Sequence, residues 1–203
     1  IDKTRAEINK LRQEEQRKQE ISARIQYLRE DAVKNFNNYN FTLSKTLCDS
    51  LLHDYEVSDP EIIKLNDRLT DMNTYLAGIT AYMENRQWKE AIKKCESAIA
   101  SSPDSVSRSE FHYRLARVYF NYDKKKKKPF FENAEKAIAL SGRRHQDALK
   151  LRSEMHLYNN NLVDAIEDAT RIVNNDSRNY VNYTYRASVY ELAGRLANAI
   201  ADY

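Results

Sequence analysis

The final stretch of the chain, RASVYELAGRLANAIADY (Arg186–Tyr203), has a counterpart thirty-four residues earlier, RSEMHLYNNNLVDAIEDA (Arg152–Ala169). Laid over one another without a gap, Ser153 falls on Ala187, His156 on Tyr190, Leu162 on Leu196, Ala165 on Ala199 and Ile166 on Ile200. An outline that returns at a period of roughly 20 to 50 residues marks small supersecondary units stacked in an array. Within each copy the apolar residues recur every three or four positions, as on one face of a helix; a strand would alternate by two. The stretch stops inside a helical pattern with no stop signal. The expectation is that the natural protein continues, and that an end left uncapped exposes apolar surface and is the less stable end of the array.

The rest of the chain agrees with helices. Three glycines and three prolines in 203 residues are too few for the tight turns of a sheet protein. Hydrophobic residues make up 41% and charged residues 31%, a globular balance. The net charge of +3, from 33 basic and 30 acidic residues, is not that of a dedicated nucleic-acid binder, which concentrates basic charge on one face. Cys48 and Cys95 are too few and too far apart for a disulfide framework or a zinc site. No apolar run approaches the ~20 residues of a membrane span. The first residue is Ile1, not Met, and no signal peptide is visible. The compartment therefore stays open. The cytoplasm is slightly favoured, and an exported location after removal of a leader is compatible with the same residues.

Residues 1–21 read as a polar helical extension. Ile1, Ile8 and Leu11 begin an apolar seam that RQEEQRKQE does not continue. A coiled-coil strand and a solvated helix carrying a Glu14–Lys18 pair both remain open. Residues 22–59 form a degenerate helical hairpin: a seam of Ile21, Ile25, Leu28, Ala32 and Phe36, a break at residues 37–40, then a helix from Phe41 to His53. Asp59 is placed to cap the next helix, with Pro60 at its first position. That helix carries Ile62, Leu65, Leu69, Met72, Leu76, Ile79 and Met83 at 3-4-3-4 spacing to about Glu84. Further helices are expected at about 88–101, 109–122, 130–141, 146–158, 162–174 and 180–193, and from 195 on.

The repeating units resemble tetratricopeptide repeats, whose 34-residue pattern pairs two helices. In the last unit Tyr183, Ala187, Tyr190, Ala199 and Tyr203 stand at pattern positions 4, 8, 11, 20 and 24. In the unit before, the same places hold Leu149, Ser153, His156, Ala165 and Ala169. The unit near Met72 supplies Tyr75, Tyr82, Ala91, Cys95, Ala98 and Pro103, and the one between supplies Leu115, Ala116, Tyr119, Ala134 and Ala137. Four departures stand out: Ile79 for a small residue, Phe130 for the position-20 alanine, and Arg152 and Arg186 for leucine. The resemblance implies an all-α, right-handed superhelical solenoid of antiparallel helix pairs with a long N-terminal helix. The array covers residues 60–203, in units of about 60–104, 106–142, 143–177 and an incomplete 180–203. Small residues at positions 8, 20 and 27 let helix axes approach, and large ones fill the space beside them.

No catalytic motif occurs: neither GxSxG, HExxH, a P-loop nor GxGxxG is present. His53, His112, His145 and His156 share no metal-ligand spacing. No enzymatic activity, cofactor, metal or small-molecule substrate is expected. The run Lys124–Lys128 lies in a turn, about two residues longer than the repeat requires. It reads as a solvated loop, with an acidic or phosphate-rich partner as the alternative.

In the family, the first helix of each pair lines an inner groove. The resemblance therefore points to Tyr113, Arg117, Phe120 and Asn121, then Lys150, Glu154, Leu157 and Tyr158, then Thr184, Ser188 and Glu191. This mixed aromatic, aliphatic and charged set suits a peptide or helix. The carboxylate clamp of chaperone-binding relatives is not matched. Its asparagines are missing at Leu76, Tyr113, Lys150 and Thr184 and at Thr80, Arg117, Glu154 and Ser188, and Glu154 would repel a carboxylate. The expected function is a non-enzymatic scaffold or adaptor that binds a protein partner. A structural segment of a large assembly and a regulatory module of a larger protein are the alternatives.

Overall fold

The computed structural model describes residues 2–203, with side chains described at Glu7 and from Asn9 onward. Ile1 and the side chain of Ile8, both named in the N-terminal seam, lie outside the described residues. Among the described residues there are ten helices and no strand: α1 (Asp2–Asn37), α2 (Phe41–His53), α3 (Pro60–Glu84), α4 (Trp88–Ser101), α5 (Ser105–Tyr122), α6 (Lys127–Leu140), α7 (Gln146–Tyr158), α8 (Leu162–Asn175), α9 (Tyr180–Leu192) and α10 (Leu196–Asp202). The chain forms two compact units, one up to Asp71 and one from Met72, so the division falls inside α3.

In the first unit α1 and α2 form a hairpin. The core residues of α1 are Leu28, Ala32 and Phe36, and those of α2 are Phe41, Cys48 and Leu51. The Phe36 and Phe41 rings meet edge to face at 5.7 Å. Ser44 is buried because its hydroxyl donates to the Ala32 carbonyl at 2.8 Å, which satisfies it inside the apolar contact. Upstream, residues 9–24 of α1 are exposed on every face, Leu11 and Ile21 included. Glu14 pairs there with Lys10, at 3.9 Å. Asp59 caps α3 as its sequence predicts, accepting the Glu61 amide at 2.8 Å, and it also pairs with Arg29 at 2.5 Å.

The second unit stacks helix pairs: the C-terminal part of α3 with α4, then α5 with α6, α7 with α8, and α9 with α10. Three of the four intra-pair turns share one backbone solution. Arg86, Asn160 and Gly194 adopt positive φ of 55°, 60° and 71°. The amide after each bonds back to the carbonyl five residues earlier: Gln87 to Tyr82, Asn161 to His156, Arg195 to Tyr190, each at 2.8 Å. This is the Schellman-type stop that satisfies a helix's last carbonyls.

The small residues sit where close approach needs them. Ala91, Ala98, Ala116, Ala137, Ala165 and Ala187 have no exposed surface, and Ala199 is 2% exposed. Ser153 donates to the Ala165 carbonyl at 2.9 Å, tying α7 to α8. Ser109 does the same from α5 to the Ala137 carbonyl of α6 at 2.7 Å. The large departures are absorbed. Phe130 is fully buried between Phe120 and Phe131, with ring centroids 5.9 and 5.1 Å away, and Ile79 is buried in α3. Ile166 is 9% exposed and packs with Val189, whereas Ile200, its counterpart on α10, is 76% exposed.

Two helices begin earlier than the apolar period indicates. α5 starts at Ser105, not near residue 109, because the Asp104 side chain accepts the Ser107 amide and nucleates an extra turn. α6 starts at Lys127, not near residue 130. Lys127, Lys128 and Pro129 fill its first turn, where amides have no intrahelical partner and proline costs nothing. The lysine run is thus divided: Lys124–Lys126 remain in the turn, and the last two lysines belong to the helix.

Candidate functional site

The expected groove residues come from α5, α7 and α9, the first helices of three successive pairs. Arg117 and Asn121 are exposed on α5, and the Asn121 side-chain amide donates to the Arg117 backbone carbonyl at 3.1 Å. They help line a cleft of about 650 Å³ whose other walls include Thr80 and Met83 of α3, Arg86 of the turn after it and Trp88 of α4. Ile79 contributes to its floor, and Arg114 also faces it. Trp88 is the single tryptophan of the chain and stacks on Tyr122, with ring centroids 6.0 Å apart.

Tyr113 is placed differently. It is 8% exposed, its ring lies 4.9 Å from that of His145, and it belongs to the core between α5 and α7. Burial raises its pKa. Below it lies a buried ionic cluster. Glu110 accepts from Arg114 at 2.6 Å and bonds His145 at 3.2 Å. Burial alone would raise the Glu110 pKa, but the His145 bond and the Arg114 charge outweigh it and hold the carboxyl below its ordinary value. His145 also accepts the Ala148 amide on Nδ1 at 3.3 Å, capping α7, so its Nε2 carries the proton donated to Glu110.

On α7, Lys150 is half-buried and its ammonium stands 5.4 Å from the centre of the Tyr185 ring. The Tyr185 hydroxyl donates to the Lys150 carbonyl at 3.2 Å. Burial pushes that phenol up to about 12, so it remains a donor throughout the neutral range. Glu154 is exposed on the same face. Neighbouring side chains partly exclude water from its carboxylate and raise its pKa, while Lys124, Lys150 and Arg117 pull the other way. Leu157 is half-buried and Tyr158 is 57% exposed. Phe120, half-buried on α5, and Tyr158 approach the same cation. The Lys124 ammonium lies 4.4 Å from the Phe120 ring centre and 4.7 Å from that of Tyr158.

On α9, Thr184 donates to the Tyr180 carbonyl at 3.2 Å and Ser188 to the Tyr185 carbonyl at 2.7 Å, so both hydroxyls turn back onto their own helix. Glu191 is exposed and accepts from the Tyr203 hydroxyl at 3.3 Å. The structure thus draws Arg117, Phe120, Lys150, Glu154 and Tyr158 into one charged and aromatic neighbourhood. Thr184, Ser188 and Glu191 make their own local bonds further along.

No family model and no curated protein matches the chain. The fold does have a counterpart. The crystal structure of MamA protein is similar, with a TM-score of 0.51 over 88% of this chain and 87% of that one. The two share 17% sequence identity, so the likeness is one of fold: an all-α, tetratricopeptide-like solenoid of helix pairs. Among the described residues no helix is long and apolar enough to cross a membrane, and no cluster of His, Cys, Asp and Glu is arranged to hold a metal ion.

Three features of the second unit escape a sequence reading. Lys124 belongs to a run that reads as solvated, yet it is held in the groove. The usable signal was Asp123, whose carboxylate accepts the Lys125 amide at 2.9 Å and forms an Asx turn that redirects the loop. Trp88 opens the second helix of its pair, outside the family's groove positions, and reaches the cleft only through tertiary packing. Arg152 and Arg186, odd as replacements for leucine, each find an aspartate sixteen residues on, a spacing both copies repeat.

Proposed function

We propose that the second unit is a non-enzymatic protein-interaction module that binds a peptide or helix of a partner along the face made by α5, α7 and α9. The observation that carries this reading is the cleft of about 650 Å³ between α3 and α5, which sets Arg117 and Asn121 beside Trp88 and Met83. Tryptophan and arginine on a concave, partly desolvated surface are the side chains that concentrate binding energy. The near-balanced charge of the chain, +3, favours a protein over a nucleic acid. Within this reading Arg117, Asn121, Glu154 and Tyr158 meet the partner directly, with Phe120, Lys150 and Leu157 beneath them. Thr184, Ser188 and Glu191 extend the surface. Tyr113 sets the spacing of α5 and α7 from within the core.

The test is crosslinking and co-purification from the native source with wild type and an Arg117→Ala, Asn121→Ala variant. Both positions are exposed, so helicity and thermal midpoint stay as in wild type. Loss of a co-purifying protein is the expected result; an unchanged set of partners overturns the reading.

The exposed N-terminal half of α1 favours a second reading, in which the chain is a structural segment of a larger assembly. Residues 9–24 are all exposed. Deleting residues 1–20 then removes the chain from its native complex without lowering the thermal midpoint of the repeat array. Intact incorporation would dismiss it.

A further inference from the structure

The turn between α5 and α6 departs from the other three. Its residues carry no positive φ. The Asx turn at Asp123 and a bond from the Lys126 amide to the Asp123 carbonyl at 2.9 Å take the place of the left-handed stop. The altered path lays Lys124 back over the groove. Its ammonium faces two aromatic rings from different helices, Phe120 of α5 at 4.4 Å and Tyr158 of α7 at 4.7 Å. The face of each ring carries negative charge and attracts a cation placed over it. Glu154 is exposed on α7, and Lys124 is the foremost of the cations acting on its carboxylate.

We propose that Phe120, Tyr158 and Glu154 form a receptor for a lysine ammonium, that the partner segment presents such a lysine, and that Lys124 occupies the receptor as an internal competitor. This rests on the groove reading given above and supplies the chemistry of its ligand. The occupant is identified by complementarity visible within the chain: two ring faces already hold one ammonium, and its charge acts on the Glu154 carboxylate. Neighbouring parts support a replaceable occupant. Tyr158 is 57% exposed, and Lys124 sits in a turn, not in a helix. Lys150 and Arg117 act on Glu154 as well, so the carboxylate is not left uncompensated when Lys124 swings out. A tethered lysine acts at high effective concentration, so a free ligand binds weakly until the tether is cut.

The test uses four proteins: wild type, Lys124→Gln, Tyr158→Ala, and the Lys124→Gln, Tyr158→Ala double variant. Both positions are at the surface, and a circular-dichroism melt confirms each fold. The probe is acetyl-Gly-Gly-Lys-Gly-Gly-amide, with its side-chain-acetylated counterpart as the neutral control, followed through the ring protons of Phe120 and Tyr158 by NMR. Lys124→Gln is expected to bind the lysine probe at least about tenfold more tightly than wild type. The double variant and the acetylated probe are expected to give no saturable shift. Separately, the side-chain protons of Lys124 in wild type carry an upfield ring-current shift that Tyr158→Ala reduces.

Equal titration of wild type and Lys124→Gln, or none in either, overturns the proposal, as does equal binding of the acetylated probe. The Arg117→Ala, Asn121→Ala experiment keeps Phe120, Tyr158, Glu154 and Lys124, and Lys150 still acts on Glu154. A failure of the groove reading there is therefore distinguishable from a failure of the lysine receptor here.

Discussion

Arg152 of α7 grips Asp168 of α8 through two parallel bonds, Nε to Oδ2 at 2.8 Å and a terminal nitrogen to Oδ1 at 2.6 Å. Thirty-four residues on, Arg186 grips Asp202 in the same way, at 2.6 and 2.6 Å. A forked guanidinium matched to a carboxylate fixes angle as well as distance. Each pair therefore locks the first helix of a repeat against the second where the usual pattern relies on leucine.

Removing one half of such a clamp is costly, because Asp168 is 2% exposed and its charge would be left without a partner. Arg152→Leu is expected to lower the unfolding free energy by about 3–5 kcal/mol. The Arg152→Leu, Asp168→Leu double variant is expected to recover most of that loss. Urea denaturation of the three proteins checks this. A double variant as weak as the single one would show that the cost was packing and not charge.

Arg86 holds φ at 55° in a turn where the later repeats place Asn160 and Gly194. A side chain with a Cβ is strained in that region by about 1 kcal/mol, and glycine is not. Arg86→Gly is expected to raise the unfolding free energy by about 0.5–1 kcal/mol, read as a higher thermal midpoint. The same change at a right-handed helical site, such as Arg171→Gly, should do the opposite.

Two imidazoles make the fold acid-sensitive. Burial lowers the pKa of His112, although its bond to Asn133 at 2.8 Å acts the other way. Burial likewise lowers His156, against the pull of Asp168 and Asp164. The unfolded chain then takes up protons, near the ordinary value of about 6.5, before the folded chain does. The stability tied to the neutral rings is complete above that value and is lost as pH falls through the lowered folded values. Thermal midpoints measured from pH 8 down to pH 5 should decline. A His112→Gln, His156→Gln variant should decline less steeply over the same range.

The two thiols should be silent in the native protein. Cys48 and Cys95 are free and without exposed surface. Burial is the main cause that pushes Cys48 up to about 11 and Cys95 up to about 12. The thiolate is the reactive form, so a disulfide reagent at neutral pH should label neither cysteine over minutes. Both should react at once in denaturant. Fast labelling of Cys95 in folded protein would mean that the α4 packing opens locally.

The helices, their turns and their pairing were legible in the residues because each is a local or periodic property. The 34-residue recurrence, the buried alanines and the Asp59 cap need only near neighbours along the chain. The groove positions came from the resemblance to the repeat family and not from the helical period, which says only which side chains share a face of one helix. What the sequence could not disclose depends on distances between helices that are far apart in the chain. Tyr113 reads as a groove residue by position, yet it fills the space beside His145 because α7 approaches α5 there. Arg152 reads as a defect until Asp168 arrives from the next helix, and Lys124 reads as solvated until Phe120 and Tyr158 close on it. Period and propensity act through the backbone and can be read one residue at a time. Charge pairing and cation–ring contact act across a few ångströms of space, and only the packed helices set those distances.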